Sequence, residues 1–311
     1  VAGELSGASV AISADGNTVV IGAPNSGGGG GFFPDIGLVS VFRFESGSWD
    51  RFGSLTFGEA AGDNSGESVA ISADGNTIIV GAPNNDGNGS ASGHARVFRL
   101  DLGFWDQLGS DIDGEAAGDH FGTSVAISAD GNTVIIGAPE NGDNGSDSGH
   151  ARVFRLESGS WNQLGSDIDG EGADDNFGEA VAISADGNTV IVGAPFHRSD
   201  DGSFSGHARV FRFESGSWRQ LGNSIDGEGS FSRFGESVAI SADGNTVIIG
   251  APKSDSNGSD SGQARVFGFE LGSWHQLGDN IDGEAAGDNS GESVAISADG
   301  NTVVIGAPNN D

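Results

Sequence analysis

The text Ala-Asp-Gly-Asn-Thr occurs six times in this chain, beginning at Ala14, Ala73, Ala129, Ala185, Ala242 and Ala298. Gly-Ala-Pro follows each time, at Gly22, Gly81, Gly137, Gly193, Gly250 and Gly306. Successive turn aspartates, Asp15, Asp74, Asp130, Asp186, Asp243 and Asp299, are therefore 59, 56, 56, 57 and 56 residues apart. A period this regular confines the chain to a repeat architecture, in which one supersecondary unit packs against copies of itself. The repeats run over 1–62, 63–118, 119–174, 175–231 and 232–287, with a partial copy over 288–311.

Within a repeat, Phe121 to Pro139 reads as two strands around a tight turn. Val125 and Ile127 alternate with small or polar residues, the period of a half-buried strand. Val134, Ile135 and Ile136 form a continuous β-branched run, as in a strand covered on both faces. Asp130-Gly131 supplies the turn between them, and Pro139 closes the second strand because it cannot donate to a ladder. In the second repeat the strands fall at about Glu67–Ser72, Thr77–Ala82, His94–Leu100 and Trp105–Leu108. No stretch carries apolar residues at helical spacing over a helical length, so almost no helix is expected. Four antiparallel strands joined by short turns make up a propeller blade. The fold class is thus all-β, a β-propeller of four-stranded antiparallel blades of about 56 residues, in a single domain over 1–311. Five blades are complete and two strands of a sixth remain. A β-solenoid is the rival, but its coils are typically half this long.

Composition supports a turn-rich array. Gly is 56 of 311 residues without a collagen period and with little Pro. No apolar run is long enough to span a membrane. Cys is absent, so disulfides neither stabilise the fold nor report a compartment. Lys and Arg total 13 against 45 acidic residues, a net charge of −32. That field repels nucleic acid and anionic lipid and attracts cations, although a solvated acidic surface explains the same count. Met is also absent, and the text stops inside a repeat at Asn309-Asn310-Asp311. The chain reads as a fragment of a six- or seven-bladed ring. Five-bladed closure and strand lending by a second chain are the alternatives, the last giving self-association through an open half-blade.

Repeat lengths differ only between the second and third strands. Pro24 to Val41 spans 17 residues, Pro83 to Val97 spans 14 and Pro195 to Val210 spans 15. This loop absorbs insertions, as a surface loop should, and its longest form carries the run Gly27 to Gly31. It shares one face with the acidic loop after the fourth strand, such as Gly109 to Asp119. The opposite face carries Ala-Asp-Gly-Asn and short turns such as Glu45-Ser46-Gly47-Ser48, so one face is elaborate and acidic and the other plain.

These residues resemble FG-GAP repeats, the blades of the integrin α-subunit propeller. Phe-Gly stands at Phe121-Gly122, Phe177-Gly178 and Phe234-Gly235, and Ser-Gly replaces it at Ser6-Gly7, Ser65-Gly66 and Ser290-Gly291. Ser-Val-Ala, Gly-Ala-Pro and a Val-Phe strand such as Val153-Phe154 follow in order. The resemblance implies a propeller used for extracellular or cell-surface recognition, adhesion or scaffolding. One departure matters: integrin-type blades often place an Asp-x-Asp-x-Asp-Gly calcium loop between the first two strands. Here Ala-Asp-Gly-Asn offers one carboxylate, too few for a cation needing six to eight oxygens.

Candidate sites lie elsewhere. Asp111, Asp113, Glu115 and Asp119 recur as Asp167, Asp169 and Glu171 with Asp174 or Asp175, and with a shift as Asp279, Asp282 and Glu284. Carboxylates at alternate positions around Gly are candidate calcium ligands, set against acidic turns closed by Asx bonds. Asn88, Asn144 and Asn257 each open an Asn-Gly-Ser sequon at one point of the insertion-tolerant loop and are candidate N-glycosylation sites. Trp49, Trp105, Trp161, Trp218 and Trp274 occur once per repeat, and burial under the outer strand is favoured over an exposed sugar platform. Arg96 with Arg99, and Arg152 with Arg155, read as structural ion-pair residues.

Nothing in the text points to catalysis. His94, His150 and His207 share one repeat position, taken by Gln263 and Leu38 elsewhere. His120, His197 and His275 stand alone, and no nucleophile, phosphate-loop or zinc-protease motif accompanies them. The chain is expected to be no enzyme, with a glycosidase-like carboxylate pair from two converging loops as the residual alternative. Protein or glycan partners on the acidic loop face are expected, without nucleic-acid binding or membrane insertion. The competing readings are a building block of an extracellular filament or matrix, and a cation-dependent carbohydrate binder. A recognition module needs one loop set unlike the rest. Only Gly27 to Gly31 and Phe196-His197-Arg198 stand out in that way.

Overall fold

The structure, a computed structural model, describes residues 6–27, 36–199 and 202–310. Residues 28–31 of the expected glycine loop lie outside the described ones. The chain divides into two compact units, one of Val1–Asn141 with Val153–Gln163, the other of Gly142–Arg152 with Leu164–Asp311. Among the described residues every regular element is a strand.

The second repeat shows how a blade is built. Its strands are Ser68–Ile71, Thr77–Ala82, His94–Asp101 and Phe104–Gln107. They pair antiparallel in sequence order, Val69 opposite Val80, Ile79 opposite Val97 and Leu100 opposite Trp105. Five such sheets follow one another, and Ser293–Ile296 with Val303–Gly306 forms a two-stranded sixth. This is the expected propeller construction. First strands of consecutive blades pack together within each unit, so they form the inner layer.

The second strand is buried along its whole length in the second, third and fourth blades, which is why it can be β-branched throughout. In the third blade Val134, Ile135 and Ile136 are fully buried, and Val125 and Ile127 of the first strand turn inward with them. Phe121, Phe177 and Phe234 are the largest fully buried side chains among the described residues.

Each complete sheet has one more segment than expected. Ile112–Asp113 pairs with Ala95 and His94, while Phe104–Gln107 pairs with the other end of the same strand. The outer edge is thus split in two, because the chain leaves the ladder at Gly109, whose φ is +78°.

Every Ala-Asp-Gly-Asn turn is closed by its own side chains. Ser72 Oγ donates to Asp74 Oδ1 at 2.6 Å, Asn76 N to the same oxygen at 3.0 Å and Asn76 Nδ2 to Oδ2 at 3.1 Å. Thr77 N donates to Ser72 Oγ at 3.0 Å. The single carboxylate is therefore spent on an Asx turn.

Three further contacts join neighbouring blades. Ala14 N donates to Ala73 O and Ala73 N to Ala129 O in the first unit, and Ala185 N to Ala242 O and Ala242 N to Ala298 O in the second. The two arginines of the third strand act in opposite directions. Arg96 reaches back to Phe57 O at 2.6 Å and Glu59 at 3.6 Å. Arg99 reaches forward to Gly131 O at 3.3 Å and Asn132 Oδ1 at 3.1 Å. The once-per-blade Trp reaches back as well: Trp105 Nε1 donates to Phe52 O at 3.0 Å and Trp218 Nε1 to Leu164 O at 2.6 Å. Burial follows this contact and is uneven. Trp105 is 5% exposed, Trp161, Trp218 and Trp274 are half-buried, and Trp49 is 47% exposed.

Candidate functional site

The expected calcium ligands are placed by this frame in separate roles. Asp119 is buried and accepts the Ala116 N–H at 2.8 Å, capping its own loop. Asp111 accepts from Gln107 Nε2 at 2.6 Å. Asp113 and Asp169 lie exposed on the short outer segments opposite His94 and His150. Glu115 is exposed and Asp167 half-buried. Glu171 pairs with Arg209 at 3.2 Å, an inter-blade tie of the same kind as Glu59 with Arg96. Three clusters with donor atoms able to hold a metal include these residues, Glu59–His94–Asp111, Glu115–His150–Asp167 and Glu171–His197–His207, each with its donor atoms within 4.8 Å of one another. Burial lowers the proton affinity of both His94 and His207, the latter to about 2, so both imidazoles are neutral. Asn88, Asn144 and Asn257 are exposed residues whose amides are already engaged. Their Nδ2 groups donate to Gly114 O at 2.8 Å, Gly170 O at 3.2 Å and Gly283 O at 2.8 Å.

One cavity of about 540 Å³ lies in the second unit, lined by Pro195, Phe196, Phe204, Phe231, Arg233 and Lys253, with Asp174, Asn176 and Asp260 at its polar edge. It is built where the fourth blade and the start of the fifth depart from the repeat. Phe231 stands where Gly62, Gly118, Asp174 and Gly287 stand in other blades, with φ +65° against +86° to +89° for the glycines and +64° for Asp174. Arg233 takes the position of Asn64, His120, Asn176 and Asn289 and shares their positive φ, at +55°. Left-handed backbone suits Gly and is tolerated by Asn, and a bulky side chain there stores strain. Lys253, the single lysine of the chain, follows Gly-Ala-Pro where Asn84 and Glu140 stand. Ser232 replaces the buried aspartate seen as Asp63, Asp119, Asp175 and Asp288, and donates instead to Ser205 O at 2.9 Å.

The aromatic walls are ordered by contacts. Phe204 and Phe231 stack with centroids 5.5 Å apart and planes at 19°, and Phe231 N donates to Phe204 O at 2.6 Å. Arg198 lies over Phe204 at 4.4 Å, and Arg233 over Phe196 at 5.1 Å. Phe231 is nevertheless 67% exposed, which leaves its outer edge free for contact. Arg233 pairs with Glu236 at 3.5 Å and Lys253 with Asp260 at 3.5 Å. Burial raises the proton affinity of Glu236, with Arg233 opposing it. Relative to the other blades, three substitutions here each move the local charge in the positive direction, inside a chain of net charge −32.

Of these residues the sequence singled out Phe196-His197-Arg198 and, as a candidate calcium ligand, Asp174. Phe231, Arg233 and Lys253 escaped it because they lie in the loop after the fourth strand and beside the next Gly-Ala-Pro. A column-by-column alignment of the repeats carries the missing signal, an aromatic and a cation in Gly and Asn columns.

Comparison with known proteins places this arrangement. Among solved structures, a Bacteroides uniformis protein named as a 6-phosphogluconolactonase superposes over 96% of this chain and 77% of its own, with TM-score 0.63 and 15% identity. The periplasmic gluconolactonase PpgL of Pseudomonas aeruginosa matches over 96% and 88%, with TM-score 0.48 and 17% identity. At 15% identity the likeness to the Bacteroides protein shows the fold alone. It also corrects the expectation that this chain is no enzyme, because a propeller that superposes on nearly all of it carries an enzyme's name. The lack of a nucleophile motif is therefore no argument against catalysis on this scaffold. None of the curated proteins matches the sequence. The FG-GAP repeat is matched over residues 58–98, 112–154, 167–211 and 225–267, more than half of the chain, and the chain belongs to the FG-GAP repeat family.

Proposed function

We propose that this FG-GAP propeller is a recognition module of the cell surface or extracellular space, and that its ligand occupies the pocket of Phe196, Phe231, Arg233 and Lys253. The observation that carries this reading is convergence. Four departures from the repeat, Phe196, Phe231 with Arg233, and Lys253, come from three stretches of the chain and line one cavity. Phe231 also holds a left-handed conformation that its Gly counterparts adopt freely. Strain kept at a pocket wall is a feature of functional positions.

The ligand class follows from the lining. Stacked Phe204 and Phe231 favour a flat apolar face. Arg233 and Lys253 favour a carboxylate or phosphate, with Arg offering the planar fork. The ligand is thus a small anion with a flat face, such as an aromatic carboxylate or an acidic sugar. Calorimetric titration with matched pairs, benzoate-type acids against their amides and uronic acids against their methyl esters, tests it. The acids are expected to bind at least ~10-fold more tightly, the factor that 1.4 kcal/mol of charge pairing supplies. Equal binding of acids and neutral partners, or binding that survives both Arg233→Ala and Phe231→Gly, overturns the reading.

A further inference from the structure

His197 has no counterpart in the other blades. Two residues after Gly-Ala-Pro, the repeat has Asn85, Asn141 and Ser254. In the second blade Asn85 Nδ2 donates to buried Asp63 at 3.1 Å. In the fourth blade His197 takes over that bond, with Nδ1 3.0 Å from Asp175 Oδ2. An imidazole has a second nitrogen that an amide lacks. The His197 ring lies against His207, with centroids 3.8 Å apart and planes at 22°. His207 is fully buried, and neither of its ring nitrogens has a hydrogen-bond partner. A buried polar group left in that state is costly, and protein interiors rarely keep one without a use. Glu171 completes the group, and the donor atoms of all three lie within 4.8 Å of one another.

We propose that Glu171, His197 and His207 bind one first-row divalent cation of the zinc class. Two imidazoles and a carboxylate suit Zn²⁺, Co²⁺ or Ni²⁺, whereas Ca²⁺ and Mg²⁺ take oxygen shells. Asp175 stands behind His197 as the carboxylate that fixes ring orientation and raises ligand basicity at zinc sites. Three protein ligands leave a fourth position open, the pattern of zinc sites that take water or a substrate. Arg209 opposes the ion, but it holds one oxygen of Glu171, whose side chain is 47% exposed and free to turn. Bonds of about 2.0–2.1 Å draw the donors inward, so the two rings must tilt out of their stack. The second blade's cluster, Glu59–His94–Asp111, offers one imidazole and serves as the internal comparison.

The test is Zn²⁺ binding to the full chain after chelator treatment, read by calorimetry, with the visible spectrum of bound Co²⁺ as the coordination readout. Two substitutions borrow residues that the repeat already uses. His197→Asn restores the residue of the second and third blades and keeps a donor for Asp175, and His207→Gln installs the residue of the fifth. The wild type is expected to saturate at one equivalent above the weak background of the acidic surface. Each variant is expected to lose at least ~10-fold in affinity and the Co²⁺ ligand-field band, with its melting curve confirming the fold. Absence of a saturating equivalent in the wild type, or its persistence in either variant, overturns the proposal. Neither outcome depends on the anion pocket.

Discussion

Trp161 Nε1 donates to the carbonyl of Leu108 at 2.7 Å, from the outer edge of one blade to the blade before it. The ring then covers Gly109, where an added Cβ would lie 2.9 Å from Trp161 Cδ1. The same pair of contacts recurs in the second unit, where Trp218 donates to Leu164 O and covers Gly165, and Trp274 donates to Leu221 O and covers Gly222. From the second blade to the fifth, each outer strand thus anchors to its predecessor through one indole. The left-handed Gly that splits the outer edge also makes room for the ring.

Trp105 and Trp49 separate the worth of this anchor. Trp105→Ala removes a side chain that is 5% exposed and donates to Phe52 O, and the expected cost is about 3–5 kcal/mol. Trp49 is 47% exposed and meets mainly Phe44, at 5.4 Å between centroids. Its truncation is expected to cost about 0.5–1.5 kcal/mol, the scale of one aromatic pair. Urea unfolding of both variants checks this, and equal losses would remove the indole contact from the account.

Arg99 tests the forward tie between blades. Its Nε donates to Thr77 Oγ1 at 3.1 Å and its Nη2 to Asn132 Oδ1 at 3.1 Å. The fifth blade has Gly268 at this position, so the fold tolerates the loss. Arg99→Ala is expected to cost about 1.5–3 kcal/mol, the range of a charge-assisted hydrogen bond. Arg96→Ala is expected to cost more, because Arg96 is itself buried and its loss leaves Phe57 O without its donor and Glu59 without its partner. Denaturation midpoints that rank the two variants the other way would refute the assignment.

The aspartate turns set the acid limit of stability. Hydrogen bonding from Ser13 and Asn17 holds Asp15 below the ordinary 3.8. At Asp130 burial pushes upward, but Ser128 and Asn132 outweigh it and the net shift is again downward. Asp74, Asp186, Asp243 and Asp299 are lowered too. A carboxylate lowered on folding stabilises above its unfolded value, and that contribution fades as pH falls through the folded one. Melting temperature is therefore expected to drop below about pH 4 through these turns. Asp130→Asn is expected to be less stable than wild type near neutrality, with the gap closing as pH approaches the depressed values. Parallel pH profiles for the two proteins would disprove the linkage.

The propeller was legible because its signals are local and repeated. Val134 to Ile136 reads as a doubly covered strand from side-chain type alone, and Asp130-Gly131 as a turn from backbone freedom. The split outer edge was not legible, because Ile112–Asp113 is two residues long and its pairing depends on where Gly109 turns the chain. The acidic loops misdirected the reading of function. Asp119 and Glu171 look alike in a list of carboxylates, yet one caps its own loop and the other joins an arginine of the next blade. Recurrence marked what the frame needs, while Phe231 and Lys253 are informative because they occur once.

Phe231→Gly sets the pocket against the frame. In three other blades this position is Gly62, Gly118 or Gly287, with φ +89°, +86° and +89°. Phe231 holds φ +65°, at a cost on the order of 1–3 kcal/mol for a non-glycine residue. Removing the side chain relieves that strain but forfeits the stack on Phe204 at 5.5 Å, worth about 0.5–1.5 kcal/mol. Gly also adds chain entropy to the unfolded state, roughly 0.4–1 kcal/mol. These terms nearly cancel, so stability is expected to stay within about 1 kcal/mol of wild type by chemical denaturation. Anion binding at the Arg233 and Lys253 pocket is expected to fall at least ~10-fold in the same variant. Unchanged stability with lost binding marks Phe231 as kept for the ligand. A loss of several kcal/mol would instead make Phe231 part of the fold's packing and withdraw strain as a mark of this site.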